Sequence, residues 1–156
     1  MEAQACARKV AGDIKALFAN HQNVRSAAKE LLFSVSSPTV IHEACVLASQ
    51  ELPSSVYKDG LQFTFHEKYL ELLPPALRIY VGCAAQLFGD LEDIDLIKIH
   101  VRSSKVSFMG YEGFHDTPLP RLTQRVKVNL RSQEVDYFDY VEPFVPPPLY
   151  WKSQLT

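Results

Sequence analysis

Two segments of the chain alternate apolar and polar residues with strict period two. Ile97, Ile99 and Val101 interleave with Lys98, His100 and Arg102, and Val126, Val128 and Leu130 interleave with Arg125, Lys127, Asn129 and Arg131. Successive side chains of an extended backbone point to opposite sides, so each segment predicts a strand with one apolar and one mainly basic face. Strands are expected at about 95–102, 105–111, 123–131 and 135–140. Ser103-Ser104 and Ser132-Gln133-Glu134 supply short turns, and the 112–121 stretch, with Gly113, Pro118 and Pro120, reads as a loop. Sequential strands joined in this way form a four-stranded antiparallel meander.

The first half of the chain carries a different period. Val10, Ile14, Leu17 and Phe18 recur at helical spacing and predict a helix over about 2–19. Asn20, His21, Gln22 and Asn23 interrupt that pattern, and Asn23 can cap a second helix over about 23–33. Ser37 and Pro38 suit the cap and first position of a third, over about 38–52. Asp59-Gly60 is a turn signal between Val56-Tyr57 and the alternating Leu61, Phe63 and Phe65, compatible with a short hairpin or an ordered loop. Residues 75–88 are apolar almost all round, as in a helix buried on more than one side, and Gly89 is placed to stop it.

Helices followed by strands give the α+β class. A single domain over 1–156 is expected, mainly helical in 1–90 and sheet in 95–140, with 142–156 an extended tail because of Pro143 and Pro146-Pro147-Pro148. Leu149, Tyr150 and Trp151 are expected to anchor that tail to the body.

Composition narrows the function classes. With 47% hydrophobic and 22% charged residues the chain fits a globular domain, and its net charge of −2 means that any attraction to nucleic acid must come from a local patch. Cys6, Cys45 and Cys83 are scattered and odd in number, which suits free thiols in a reducing compartment better than a disulfide framework or a zinc site. No apolar run approaches the ~20 residues of a membrane span, and no leader pattern opens the chain. A cytoplasmic protein without membrane partners is expected.

Motifs for cofactor chemistry are missing. The glycines form neither GxGxxG nor a P-loop, and no GxSxG elbow is present. His42-Glu43 and His66-Glu67 each begin HExxH, but Val46 and Leu70 stand where the second histidine belongs. His115-Asp116, with Glu112 nearby, could do acid–base work from the 111–116 loop, but no nucleophile or metal partner accompanies them and a polar turn explains them better. Asp90, Glu92, Asp93 and Asp95 match no calcium loop and read as a solvated turn. No catalytic residue, metal ligand or cofactor is therefore assigned.

The basic face is the strongest physical lead. If the two alternating strands are neighbours, Lys98, His100, Arg102, Arg125, Lys127 and Arg131 share one surface, and such arrays bind phosphate backbones. Tyr137 or Tyr140 could stack a base. The competing explanation is an ordinary solvated sheet face, which lysine and arginine fill at little cost.

The segments LLPPALRIYVGCAAQLFGD, DLIKIHVRSSKVSFMGYEGF, PLPRLTQRVKVNLRSQEVDYFDY and PPPLYWKS resemble a region of the methyltransferases associated with bacterial DNA phosphorothioation systems, over roughly 72–153. That family's name implies S-adenosylmethionine and DNA modification. The glycine-rich turn of a Rossmann-like methyltransferase is missing, so the resemblance is to a part outside the cofactor-binding domain, and no catalytic residue carries over. The expectation is a non-catalytic accessory module of a bacterial DNA-modification or defence system, with DNA or RNA and another protein of that system as partners. A protein-interaction module is the alternative, using a helical face or a tail surface of Phe144, Leu149, Tyr150 and Trp151. A methyltransferase fragment lacking its cofactor site is a further one.

Overall fold

The computed structural model describes residues 19–27, 37–144, 146 and 148–156. The chain divides into two compact units, Met1–Ser34 and Val35–Thr156. In the first unit, residues 19–27 are helical and solvent-exposed (α1). This helix runs through Asn20–Asn23, where a break was expected, because asparagine and histidine disfavour helix by only a few tenths of a kcal/mol each. The rest of the helices expected at 2–19 and 23–33 lies outside the described residues.

The second unit is α+β, with two α-helices and one sheet among the described residues. The order is α2 (Pro38–Glu51), β1 (Ser55–Lys58), β2 (Gln62–His66), a 3-10 turn (Glu67–Leu72), α3 (Pro75–Phe88), β3 (Leu96–His100), β4 (Lys105–Glu112), β5 (Arg121–Asn129), β6 (Glu134–Asp139) and a 3-10 turn (Lys152–Gln154). The sheet has six strands in the order β1-β2-β3-β4-β5-β6, each antiparallel to its neighbour. This corrects the four-stranded meander. The Asp59-Gly60 turn, with both residues at positive φ, closes a hairpin whose second strand pairs with β3 and widens the sheet by two strands.

Proline at the first position starts both α2 and α3, where a missing N–H costs no hydrogen bond. Gly89, at φ 92°, ends α3 in the left-handed conformation that favours glycine. The two helices cover one side of the sheet. Ile41, Cys45 and Ala48 of α2 and Leu77, Tyr80, Val81 and Ala84 of α3 pack in one core with Phe63, Phe65, Ile97, Ile99, Val106, Phe108, Val126 and Val128. Burial pushes the Cys45 thiol up to about 12, so it stays protonated and behaves as a small apolar side chain.

A second, smaller core lies at one end of the other side of the sheet. Leu96, Met109, Phe114, Leu149 and Leu155 form it, with Trp151 half-buried beside them. The tail is therefore fastened by Leu149 and Leu155, whereas Tyr150, expected as an anchor, is 72% exposed. No helix among the described residues is long and apolar enough to cross a membrane.

Candidate functional site

Strand register decides which charges share a surface, because residues directly opposite each other in adjacent strands point to the same side. One row across the sheet runs Lys58, Gln62, His100, Lys105, Asn129, Glu134. The next runs Val56, Thr64, Lys98, Ser107, Lys127, Asp136. The third runs His66, Leu96, Met109, Arg125, Phe138, and its Leu96 and Met109 belong to the second core. The face left uncovered by the helices thus carries Lys58, Lys98, Lys105, Arg125 and Lys127 over β1–β5, with Glu134 and Asp136 on the β6 border.

Packing within this face follows from side-chain size. Thr64 and Ser107, each 2% exposed, flank Lys98 on either side, so the lysine stem lies between two short neighbours. His100 shares a hydrogen bond of 3.0 Å with the Ser107 hydroxyl through Nε2. The Arg125 guanidinium stacks on Phe138, 4.8 Å from the ring centre.

The cations repel one another. Burial, then Arg125, Lys127 and Lys58, hold the Lys98 ammonium below its ordinary value. Burial, then Lys105 and Arg125, does the same to Lys127, with Asp136 opposing. The His100 imidazole is pushed down to about 4 by burial and by Lys127, Lys98, Lys105 and Arg125. His100 is therefore neutral at pH 6, where an unperturbed imidazole would carry charge.

Of the six residues singled out from the sequence, Lys98, His100, Arg125 and Lys127 share this face. Arg102 and Arg131 do not belong to it by strand register, since β3 ends at His100 and β5 at Asn129. Both arginines are exposed in turns. The Asn129 carboxamide oxygen accepts from the Arg131 and Ser132 amides and turns the chain away, and the Arg131 charge reaches the Tyr80 hydroxyl on the helical side. Lys58 and Lys105 were missed. The alternation of Lys105, Ser107 and Met109 with Val106 and Phe108 is the signal that could have found Lys105, and Lys58 joins once the Asp59-Gly60 turn closes a hairpin. Tyr137 projects from the other side of the sheet, opposite Val126 and 6.2 Å from Phe88 between ring centres. The aromatic of the basic face is Phe138.

The acidic run divides by burial. The Asp90 carboxylate accepts the Glu92 amide in an exposed turn, whereas Asp95 is half-buried and accepts the Tyr111 amide at 2.8 Å. Burial raises the Asp95 carboxyl, the Tyr111 amide and His115 oppose the rise, and Asp93 adds to it. His66, outside the HExxH pattern, ends β2 and is 6% exposed. Burial, then Lys68 and His115, pushes its imidazole down to about 4. His115 is exposed in the loop after β4, beside Phe114.

No family model, no curated protein and no solved structure matches this chain.

Proposed function

We propose that this chain is a non-catalytic nucleic-acid-binding module whose contact surface is the basic sheet face. The observation that carries the reading is the gathering of Lys58, Lys98, Lys105, Arg125 and Lys127 on one side of the sheet, close enough to depress Lys98 and His100. Like charges side by side destabilise a sheet. A polyanion laid across β1–β5 relieves that repulsion and releases its own counterions. The acidic β6 border limits the track to those five strands. Resemblance of residues 72–153 to a region of phosphorothioation-associated methyltransferases supports a bacterial DNA-modification or defence context, which implies the cytoplasm and another protein of that system as partner.

The test is binding of labelled single- and double-stranded DNA and RNA at two salt concentrations. Affinity should fall with salt, and Lys105→Ala with Lys127→Ala should reduce the log–log slope by roughly 1.4–1.8, at about 0.7–0.9 for each phosphate no longer neutralised. Lys98→Glu with Lys127→Glu should abolish retention. No binding at low salt, or unchanged binding by the folded double variants, would reduce the face to a solvated surface.

A second reading, a protein-docking module, is favoured by exposed apolar side chains at Val141, Phe144 and Tyr150, at 67%, 72% and 72%. Phe144→Ser with Tyr150→Ser would then abolish binding of the protein partner and leave oligonucleotide binding intact.

A further inference from the structure

Three side chains from separate segments meet beyond the basic face. His66 closes β2, Asp95 immediately precedes β3, and His115 lies in the loop that follows β4. One nitrogen of each imidazole and one oxygen of the Asp95 carboxylate all lie within 4.8 Å of one another. Each residue is held by its own surroundings. The Asp95 backbone donates to the Met109 carbonyl at 2.9 Å and accepts from the Glu67 amide at 2.9 Å, so it is tied to β4 and to the start of the 3-10 turn that follows β2. Asp95 Oδ2 takes the Tyr111 amide, which leaves Oδ1 for another partner. The His115 loop is stitched by the Asp116 and Thr117 amides on the Gly113 carbonyl and by Lys152 Nζ on the Thr117 carbonyl.

His66 supplies the independent sign of a ligand. Its ring is packed against Phe114, 5.0 Å between centres, and against His115 at 5.6 Å. Nδ1 accepts the Lys68 amide at 3.1 Å, while Nε2 is buried and has no hydrogen-bond partner among the described residues. Native proteins rarely leave a buried polar atom unmatched, and one that persists beside a second imidazole and a carboxylate needs an account.

The geometry points to a divalent transition-metal site of the Zn2+ kind, with His66 Nε2, a His115 ring nitrogen and Asp95 Oδ1 as its protein ligands. Two imidazoles and one carboxylate suit a borderline metal, whereas Ca2+ and Mg2+ take oxygen. Three protein ligands leave a coordination position for water, and exposed His115 keeps that side accessible. Bond lengths of about 2.0–2.2 Å place ligand atoms roughly 3.3–3.6 Å apart, so the cluster closes by on the order of 1 Å on loading. Rotation of the exposed His115 side chain supplies that closure. The hydrogen that the Lys68 interaction places on Nε2 moves to Nδ1 as the metal enters, so the Lys68 amide loses its acceptor.

The experiment strips the full chain with a chelator and titrates it with ZnCl2 against a chromophoric competitor, and with CoCl2 by visible absorption. One equivalent should bind, and the Lys68 amide resonance should shift. Asp95→Asn, which keeps an oxygen for Tyr111, and His115→Ala, at an exposed position, should each weaken binding roughly tenfold or more. His42→Ala should leave it unchanged. Failure of the folded wild-type chain to take up one equivalent, or affinity unaltered by both ligand substitutions, would overturn the site. Oligonucleotide binding measured in chelator stays separate, so either result stands without the other.

Discussion

The guanidinium carbon of Arg125 lies 4.8 Å from the centre of the Phe138 ring, and the register sets the two residues opposite each other across β5 and β6. Stacking holds a flexible cation in one place on the basic face. Arg125 Nε is buried without a hydrogen-bond partner among the described residues, so the ring is the main restraint on that end of the side chain. A partly exposed cation–π pair contributes about 0.5–1 kcal/mol. Phe138→Ala should therefore weaken oligonucleotide binding by about two- to fivefold while leaving the salt slope unchanged, because no charge is removed. Binding isotherms at several salt concentrations check both parts, and a changed slope would mean that Arg125 leaves the face altogether.

His100 makes the face sensitive to pH. Its imidazole is pushed down to about 4, first by burial and then by Lys127, Lys98, Lys105 and Arg125. The unfolded group titrates near about 6.5. Above that value neither state holds the proton and the group is silent. Between about 6.5 and 4 the unfolded chain holds more protons, so stability falls as the solution is acidified, by about 1 kcal/mol once solvent screening is discounted. His66 titrates in the same window, so the comparison is wild type against His100→Asn, which should lose part of the slope. A bound polyanion offsets the neighbouring cations and raises the His100 pKa, so affinity should increase from pH 7 to pH 5. Imidazole NMR titration with and without oligonucleotide reads the shift directly.

Much of this arrangement is legible in local pattern, and what is not has a physical cause. Period two placed Lys98, His100, Arg125 and Lys127 on one side because each sits inside a paired strand. The same count carried on to Arg102 and Arg131, where pairing has ended and turn geometry decides direction. The sheet's width turned on Asp59-Gly60. A turn signal looks the same whether it closes a hairpin or a loop, and only the pairing of Val56 and Tyr57 with Thr64 and Phe63, and of Phe63 and Phe65 with Ile99 and Ile97, settles it. His66, Asp95 and His115 each drew notice for separate reasons. Their meeting depends on β2–β3–β4 register and on the 113–117 loop, which no local spacing encodes.

Gly110 marks a close approach of two chain segments. β4 shifts register between Gly110 and Tyr111, and a Cβ at Gly110 would stand 2.5 Å from the Asp93 carbonyl oxygen. That oxygen belongs to backbone and cannot swing aside as a side chain could. Gly110→Ala should destabilise the fold by about 1–3 kcal/mol, the usual range for overpacking. Urea unfolding measures the loss. Because the displaced segment leads into Asp95, the same substitution should also weaken Zn2+ uptake.

The tail is structural where it is buried and available where it is not. Leu155 is fully buried and Leu149 is 5% exposed, both in the core with Leu96, Met109 and Phe114. Removing most of a buried leucine side chain costs about 2–5 kcal/mol. Leu155→Ala should lower the urea midpoint accordingly, whereas Tyr150→Ala, at a 72% exposed position, should change stability by no more than about 0.5 kcal/mol. The second core also covers Leu96 and Met109, which lie in one row with Arg125 and Phe138. Leu155→Ala should therefore loosen that end of the basic face and raise amide exchange at Leu96 and Met109 before it affects the helix-covered core. Equal exchange rates on both sides of the sheet would show instead that the two cores unfold as one unit.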